Sequence, residues 1–202
     1  MGVPAVAAAA LNTRTGRRIL GGAILVILLA VAFALTPLIA IPFAVAGSAA
    51  GIVEPGANPP AASGDWGYPL AGEYTKGRGF GYDPVDGCSY CSTNHKGYDM
   101  AQGCGSTIFA AGPGEVITAG SYYGWGNTVR IDHGDSLVTL YGHMQWESIR
   151  VVEGQQITAG TPLGAEGDTG ASFGCHLHFE VQKSGTPVDP EPFMAALGLP
   201  LK

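Results

Sequence analysis

The sequence predicts a mostly β domain that follows a single N-terminal membrane helix. The β domain is indicated by glycine, which makes up 32 of 202 residues and so exceeds the usual share of roughly 7% more than twofold. It is also indicated by short Val, Ile, Thr and Tyr runs separated by glycine-bearing breaks in the C-terminal half. The helix is indicated by residues 19–46, which contain no charged residue, since a helix of about 20 apolar residues spans a bilayer core.

The N-terminal segment has the features of a signal-anchor. Arg14, Arg17 and Arg18 precede the apolar run, so the positive-inside rule keeps residues 1–18 in the cytoplasm and places the rest of the chain outside. A cleavable signal peptide is the alternative, because Ala44-Val45-Ala46 forms an A-x-A site. Signal peptides have apolar regions of only about 7 to 15 residues, so an uncleaved anchor is the favoured interpretation.

The part of the chain after residue 46 divides into a linker and a domain. Residues 47–64 are small, proline-bearing and without periodicity, which is typical of a flexible linker. Residues 65–202 are the predicted domain. Beyond residue 46 there are 7 basic and 16 acidic residues, a formal charge of −9. This balance argues against nucleic acid as a partner, because binding to a phosphate backbone requires a basic surface.

Short strands are predicted in close succession through the domain, with a short helix near its end. His133 falls in a turn between two of them, and no catalytic role is predicted for it. The glycine-rich stretch 167–174 resembles a phosphate-binding loop, but the sequence provides no Walker lysine and no following helix. The predicted strands cover residues 107–110, 114–119, 127–132, 136–143 and 156–160, and the helical turns fall within 187–197.

The stretch 174–180 contains a His-x-His pair on a predicted strand. Because side chains alternate between the faces of a strand, His176 and His178 project to one side while Leu177 and Phe179 project to the other. Two imidazoles about 7 Å apart on one face can reach the same metal ion. An isolated His-x-His is equally compatible with two surface histidines, so the other candidate ligands decide the interpretation.

Three further candidates lie upstream: His95, Asp99 and His143. His95 and Asp99 are placed in a loop that enters a strand, and His143 ends an alternating strand. Together with His176 and His178 they provide four imidazoles and one carboxylate. A catalytic zinc ion usually takes three protein ligands and leaves one position for water, but spacing alone does not say which of these residues are ligands.

Three motifs in this chain resemble the signatures of the lysostaphin/LytM-type zinc metallopeptidases, peptidase family M23. They are H-K-G-Y-D-M at 95–100, Y-G-H-M at 141–144 and G-C-H-L-H-F-E-V at 174–181. The resemblance covers about residues 66–193. It implies an antiparallel β-sheet groove of the lysostaphin/LytM (duplicated hybrid motif-like) type with a metal ion at its floor.

The resemblance also implies a role for each candidate. His95, Asp99 and His178 would be the ligands of one Zn²⁺ per domain, and His143 and His176 would be the catalytic pair. Two neutral imidazoles and one carboxylate leave zinc with a net positive charge, which lowers the pKa of bound water toward 7. The chain has no H-E-x-x-H glutamate, so we expect a histidine to transfer the proton.

The implied function is zinc-dependent hydrolysis of peptide cross-links in bacterial peptidoglycan. The predicted location is the bacterial cell membrane, with the domain outside, or secretion after cleavage near Ala46. Two alternatives are kept: a non-catalytic activator of other wall hydrolases, and a component of an envelope, secretion or conjugation assembly. The bond that is cleaved is left open between a D-Ala to diaminopimelate link and a glycine bridge.

Some positions depart from the family pattern or have no assigned role. Asp83 stands where relatives often have histidine, and Phe173 replaces a residue that is commonly small or hydroxylated. With the insertion at 83–94, these departures affect the predicted groove walls, and therefore specificity more than catalysis. Tyr98 and Glu180 are possible partners of the metal ligands, although core or surface roles are preferred for both.

The four cysteines predict two disulfides in an exported domain, with three possible connectivities. The favoured connectivity pairs Cys104 with Cys175, which would join the two ligand-bearing segments, and Cys88 with Cys91. A redox-active or zinc-binding C-x-x-C is the alternative. The sequence contains no second C-x-x-C to complete a zinc knuckle.

Overall fold

An antiparallel sheet is the centre of the computed structural model, which describes residues 62–87 and 92–202. The predicted signal-anchor at 19–46, most of the predicted linker, and Cys88 and Cys91 lie outside these residues, so those expectations stay predictions. Within the described ranges, no helix has the length and apolar character needed to cross a bilayer.

The described residues form fourteen short strands, one 3-10 turn and one α-helix. The predicted strands are all present, with bounds that differ by a few residues. The elements in chain order are β1 (Ala62–Ser63), β2 (Trp66–Gly67), β3 (Thr75–Lys76), β4 (Gly81–Tyr82), β5 (Asn94–His95), β6 (Tyr98–Ala101), β7 (Thr107–Phe109), β8 (Gly114–Ser121), a 3-10 turn (Tyr123–Trp125), β9 (Asn127–Asp132), β10 (Leu137–Met144), β11 (Gln156–Ile157), β12 (Pro162–Ala165), β13 (Leu177–Lys183), β14 (Thr186–Val188) and α1 (Pro190–Ala196).

The main sheet has the strand order β11-β8-β9-β10-β13-β6-β3, and β14 pairs with the end of β13. Every described strand pair is antiparallel. Three two-stranded pairs lie outside this sheet: β1 with β2, β12 with β7, and β4 with β5. Since β1 belongs to a hairpin, the described part of the fold includes the last residues of the predicted linker. The observed fold is mostly β, as predicted.

The register of β10 against β13 separates a core face from an open face. Tyr141 lies opposite Phe179, and both are fully buried. The next pair is Gly142 and His178, and the His178 side chain must face the other way because strand side chains alternate. The core face packs with apolar residues of the main sheet, of the β7–β12 pair and of the C-terminal helix, among them Met100, Ile108, Val116, Val129, Ile131, Leu163, Leu177, Val181 and Met194.

The short helix α1 begins where the sequence predicts a helical segment. Pro190 stands at its start, where a missing backbone N–H costs nothing, and the Asp189 carboxylate accepts a hydrogen bond from the backbone N–H of Glu191 at 3.0 Å. Met194 points into the core. The helix thereby covers the core face of the sheet and leaves the opposite face open.

The structure contains the predicted Cys104–Cys175 disulfide, which joins residues 71 positions apart. Cys104 follows β6 and Cys175 precedes β13. The bond therefore links the loops that border two adjacent strands of the sheet.

Candidate metal centre

Three side chains of the open face converge: those of His95 on β5, Asp99 on β6 and His178 on β13. The sheet register places Asp99 directly opposite His178. Asp99 Oδ1 lies 2.9 Å from His178 Nδ1 and 3.2 Å from His95 Nε2, and the two imidazole nitrogens are 3.0 Å apart. All three residues are buried. One oxygen and two nitrogens thus surround a single point.

Hydrogen bonds orient both imidazoles so that a lone pair faces this point. His95 Nδ1 lies 2.8 Å from the carbonyl oxygen of Gly79, and since a carbonyl only accepts, Nδ1–H donates and Nε2 is left unprotonated. His178 Nε2 donates to Glu180 Oε1 at 3.0 Å, which directs Nδ1 inward. The donor set of two imidazoles and one carboxylate fits one divalent ion of the zinc type.

Gly97 allows the β5–β6 connection and β13, which carry the candidate metal-binding residues, to approach each other closely. A Cβ atom at this position would lie 2.5 Å from the backbone oxygen of Phe179 and 2.9 Å from His178 Nε2. Any larger residue would push His178 or the β5–β6 connection away. The cluster can therefore form only with glycine between His95 and Asp99 in the H-K-G-Y-D segment.

A chain of hydrogen bonds supports His178 from behind. Glu180 is fully buried on β13, and its Oε1 also accepts from Trp125 Nε1 at 2.7 Å. Its Oε2 accepts from Gln182 Nε2 at 2.7 Å, and Arg130 Nη2 donates to Gln182 Oε1 at 3.4 Å. A carboxylate behind a metal-binding histidine fixes the orientation of its ring and raises its basicity, so Glu180 is the strongest candidate for that role here.

The charges in the cluster shift pKa values in opposite directions. Burial disfavours the charged form of Asp99, but the adjacent imidazoles of His178 and His95 outweigh it and hold the pKa of the carboxyl well below its usual range. Burial likewise acts against the His178 imidazolium, yet hydrogen bonds to Asp99 and Glu180 raise its pKa to about 9. In the absence of a metal ion, His178 therefore carries a proton on both ring nitrogens, and its positive charge offsets one of the two negative charges of Asp99 and Glu180.

His143 reaches the open face through a distortion of β10. Strict alternation would place it on the core face with Tyr141. The pairing of β10 with β9 shifts register between Tyr141 and Met144, and His143 has a positive φ of 60°, a left-handed conformation that is costly for a residue with a side chain. The bulge turns the ring toward His178, with ring centroids 5.7 Å apart. The sequence predicted that His143 belongs to the same cluster as His178. It placed His143 at the end of a regularly alternating strand, whereas the structure brings it to the cluster through a bulge.

His143 is held by one strong hydrogen bond. Its Nδ1–H donates to the carbonyl oxygen of Thr169 at 2.7 Å, which leaves Nε2 as the unprotonated nitrogen. Burial lowers the pKa of His143 to about 4. The imidazole is consequently neutral at physiological pH and can accept a proton or a hydrogen bond at Nε2.

His176 lies immediately before β13 and faces the same cluster. Its ring centroid is 4.9 Å from that of His143, and its Nε2 is 3.6 Å from Asp99 Oδ1. Its Nδ1 lies 2.8 Å from the carbonyl oxygen of Gly174 and 3.4 Å from Ser172 Oγ. With a side chain 20% exposed, it is the most accessible of the four histidines of the cluster.

The loop that carries His176 is closed by two links. Asp168 Oδ1 accepts a hydrogen bond from the backbone N–H of Gly174 at 2.7 Å, and Cys175 is bonded to Cys104. An isolated bridge within the loop also pairs Gly167 with His176, and the backbone N–H of Ala171 donates to the carbonyl oxygen of Gly124 at 2.8 Å. These links hold His176 in position, as the continuous ladder of β13 holds His178.

The cluster lies at the floor of a groove of about 670 Å³. Trp125 and Phe173 contribute aromatic walls, and Phe173 is 67% exposed. Val85 from the predicted insertion, Arg78 and the exposed Lys96 also line it. The predicted departures from the family pattern at Phe173 and in the insertion thus do fall on the groove wall.

Two residues considered in the sequence lie away from the cluster. Tyr98 is fully buried on the core face, and its hydroxyl donates to the backbone oxygen of Lys202. His133 occupies the predicted turn, where its ring contacts the carbonyl oxygen of Pro113 at 2.6 Å and Thr139 Oγ1 at 2.8 Å. Both have structural contacts that account for their positions.

Sequence reasoning underestimated Glu180 and missed Trp125. The signal for Glu180 was present, because it lies two residues after His178 on the same strand and so on the same face. Trp125 lies on a 3-10 turn far from the motifs, and no local pattern indicates it. The carbonyl groups of Gly79 and Thr169, which fix two imidazoles, are backbone atoms and leave no signature in the sequence.

Comparison with protein families gives a match to peptidase family M23 over residues 93–190, a range that contains all five residues of the cluster. The chain is 36% identical over 95 residues to the peptidoglycan DD-endopeptidase ShyA of Vibrio cholerae, which covers 47% of this chain and 22% of that protein. Among the first curated relatives, the matched segment spans from about a fifth to about half of the relative's length.

Solved structures with similar folds agree with this match. The catalytic domain of lysostaphin from Staphylococcus simulans superimposes with a TM-score of 0.54 at 31% identity, covering 60% of this chain and 92% of that domain. A zinc-containing peptidase from Vibrio cholerae gives a TM-score of 0.54 at 32% identity, over 60% of this chain and 37% of that one. The antiparallel sheet is thus similar to that of lysostaphin.

Proposed function

This chain belongs to peptidase family M23, and from that premise we propose that it is a zinc-dependent endopeptidase that hydrolyses peptide cross-links of bacterial peptidoglycan. The observation that carries the proposal is the convergence of His95 Nε2, Asp99 Oδ1 and His178 Nδ1, all within 3.2 Å of one another. Relatives named as peptidoglycan endopeptidases support the substrate class.

In this proposal His95, Asp99 and His178 hold the ion, and hydrogen bonds orient the two imidazoles before the ion binds. A bound zinc ion would act as a Lewis acid that makes water reactive toward an amide at neutral pH. The carbonyl of Gly79 and the carboxylate of Glu180 keep the two imidazoles in the required tautomers. The groove gives an extended peptide access to the cluster from solvent.

His143 is assigned the role of proton acceptor. Its Nδ1–H is bound to Thr169 and its ring is neutral, so Nε2 can take a proton from the attacking water. The ring of His176 lies beside His143. Because its Nδ1–H donates to the carbonyl oxygen of Gly174, His176 can donate to the carbonyl oxygen that becomes negatively charged only with a second proton on Nε2. The amine that leaves can then be protonated by either imidazole.

The proposed setting is the outer side of the cell membrane, facing the wall. Relatives include lipoproteins, which is consistent with association with the envelope. In our proposal residues 19–46 anchor the chain and the segment that follows acts as a tether; release by cleavage near Ala46 is the alternative. Peptidoglycan is the proposed partner.

The direct test is muropeptide analysis of purified peptidoglycan digested with the protein, with added zinc and with a chelator. We expect cross-linked dimers to fall and monomers to rise with zinc, and no change with chelator. His143→Ala is the matched control, since it removes the acceptor and leaves all three metal-binding side chains. Unchanged muropeptides with the zinc-loaded protein would reject the enzyme and favour a non-catalytic role in an envelope assembly.

A further inference from the structure

The groove has an exposed cation that no described residue neutralises. Lys96 is exposed between the two metal-binding residues of the H-K-G-Y-D segment, and its ammonium lies 5.3 Å from the ring centroid of Trp125. Within residues 62–87 and 92–202, no carboxylate lies within ion-pair distance of it. By contrast, the groove's two carboxylates, Asp99 and Glu180, are already bound to the histidines.

The position of this ammonium relates it to the cluster. Trp125 donates to Glu180, which in turn accepts from His178, so Lys96 and Trp125 form the groove wall directly beside the metal-binding residues. Successive Cα atoms of a peptide are about 3.8 Å apart. A residue next to the amide under attack would therefore lie within reach of the flexible Lys96 side chain.

The other cation of the groove is committed to a structural task. The Arg78 guanidinium donates to the backbone oxygens of Asp83 and Ser92, which ties the two ends of the loop between β4 and β5. The Asp83 carboxylate is close by and accepts from the backbone N–H of Gly79 at 2.7 Å. Because Arg78 donates to backbone oxygens, Lys96 is the groove cation whose N–H donors remain for a ligand.

We propose that Lys96, supported by Trp125, recognises a free carboxylate on the residue that contributes the amine of the scissile amide. This inference rests on the proposed function and narrows its substrate. In a D-Ala to diaminopimelate cross-link, the carbon that bears the amide nitrogen also carries a free carboxylate. A glycine bridge has no carboxylate there, so the diaminopimelate type is the substrate that this groove selects. An ammonium–carboxylate contact is a charge-assisted hydrogen bond and is weakened by salt.

The test compares two cross-linked muropeptide dimers that differ only at this carboxylate, which is free in one and a carboxamide in the other. Binding is measured by calorimetry on zinc-loaded His143→Ala protein, and cleavage is measured separately on the protein with His143. We expect the free acid to bind about tenfold more tightly, as for a hydrogen bond between charged groups, with the difference shrinking at high salt.

Three further substitutions make the test specific. Lys96→Met keeps an unbranched side chain over Trp125 and should bring the ratio of the two affinities close to one. Lys96→Arg should retain most of the preference. Lys76→Met is the matched control, because Lys76 is paired with Glu191 at 2.9 Å and does not line the groove, so the ratio should be unchanged.

The outcomes separate this inference from the proposed function. Equal affinities for the two dimers, or a preference that persists in Lys96→Met, would overturn carboxylate recognition by Lys96 even if both dimers are cleaved. Cleavage of neither dimer would reject the endopeptidase, while the measured affinities would still decide whether Lys96 recognises the carboxylate.

Discussion

The three candidate metal-binding residues and the two other histidines of the groove are held by different parts of the fold. Asp99 and His178 stand opposite each other on paired strands, within a continuous ladder. His143 stands on a bulge with a positive φ, and His176 precedes its strand on a loop closed by a disulfide. Strand register thus positions Asp99 and His178, with His95 on the separate β4–β5 pair, whereas the second group depends on local distortion and tethering.

This difference indicates that the two groups can be disrupted separately. Backbone pairing positions side chains to within a fraction of an ångström as long as the sheet is intact. A bulge or a loop tolerates more movement, and its residues need dedicated contacts such as the bond from His143 to Thr169. Proton transfer should therefore fail before metal binding does when the fold is perturbed near the groove.

The largest expected effect comes from comparing His178→Ala with His143→Ala. Loss of His178 removes a metal-binding nitrogen and should lower zinc affinity by more than about 100-fold, since even partners behind the ligands account for 10- to 100-fold. His143→Ala should bind zinc normally and lower kcat by about 10²- to 10⁴-fold. Metal content by mass spectrometry and turnover on muropeptides check this; equal loss of zinc in both variants would refute the division of roles.

Glu180→Ala should weaken zinc binding by about 10- to 100-fold without removing a ligand. The reason is that His178 would lose the acceptor that directs Nδ1 inward. Competition with a zinc-binding dye measures the affinity, and NMR of the imidazole nitrogens reports the tautomer. Gln156→Ala is the control, because Gln156 bonds Glu115 on the remote strands β11 and β8. An unchanged tautomer and affinity in Glu180→Ala would contradict the positioning role.

Zinc affinity should rise with pH by up to about tenfold per unit below pH 9. The pKa of His178 is raised to about 9 in the metal-free protein, so an ion must displace its proton throughout this range. His143, with a pKa of about 4, contributes no proton there. The stability of the metal-free protein should instead fall as pH rises. The pKa of His178 is higher in the folded than in the unfolded protein, which stabilises the fold below the unfolded value near 6.5, and this gain is lost as pH approaches 9. Thermal melts with and without zinc from pH 6 to 9 test both trends; parallel curves would contradict them.

The smallest expected effect on the site comes from replacing Cys104 and Cys175 together with serine. The loop with His176 would loosen while the β6–β13 register remains, so kcat should fall about threefold to tenfold with zinc affinity almost unchanged. Stability should fall by at most about 4 kcal/mol, the chain-entropy value for a loop of this size. Urea titration and turnover measure the two quantities. A larger loss of zinc affinity than of kcat would contradict the idea that the disulfide holds His176 more than it holds the candidate metal-binding residues.

The five residues of the cluster could be chosen from the sequence because their motifs carry a chemical pattern. His95, Asp99, His176 and His178 lie in short segments that resemble the M23 signatures, and this resemblance, rather than their spacing alone, assigned their roles. Glu180 could have been preferred as a partner of His178 by alternation alone. The bulge by which His143 reaches the groove could not be predicted from the sequence, since it depends on how β10 pairs with β9.

The sequence by itself determined the β class, the apolar and polar faces of the strands and the histidine and aspartate residues that are candidates for binding a metal ion, because each of these follows from local residue type and order. Only the tertiary structure decided which carbonyl fixes each imidazole, that Trp125 and Gln182 hold Glu180, and that Lys96 stands in the groove without a carboxylate partner. They include contacts between residues up to 55 positions apart, and the physical reason that local patterns do not reveal them is that they exist only once the sheet has brought its strands into register.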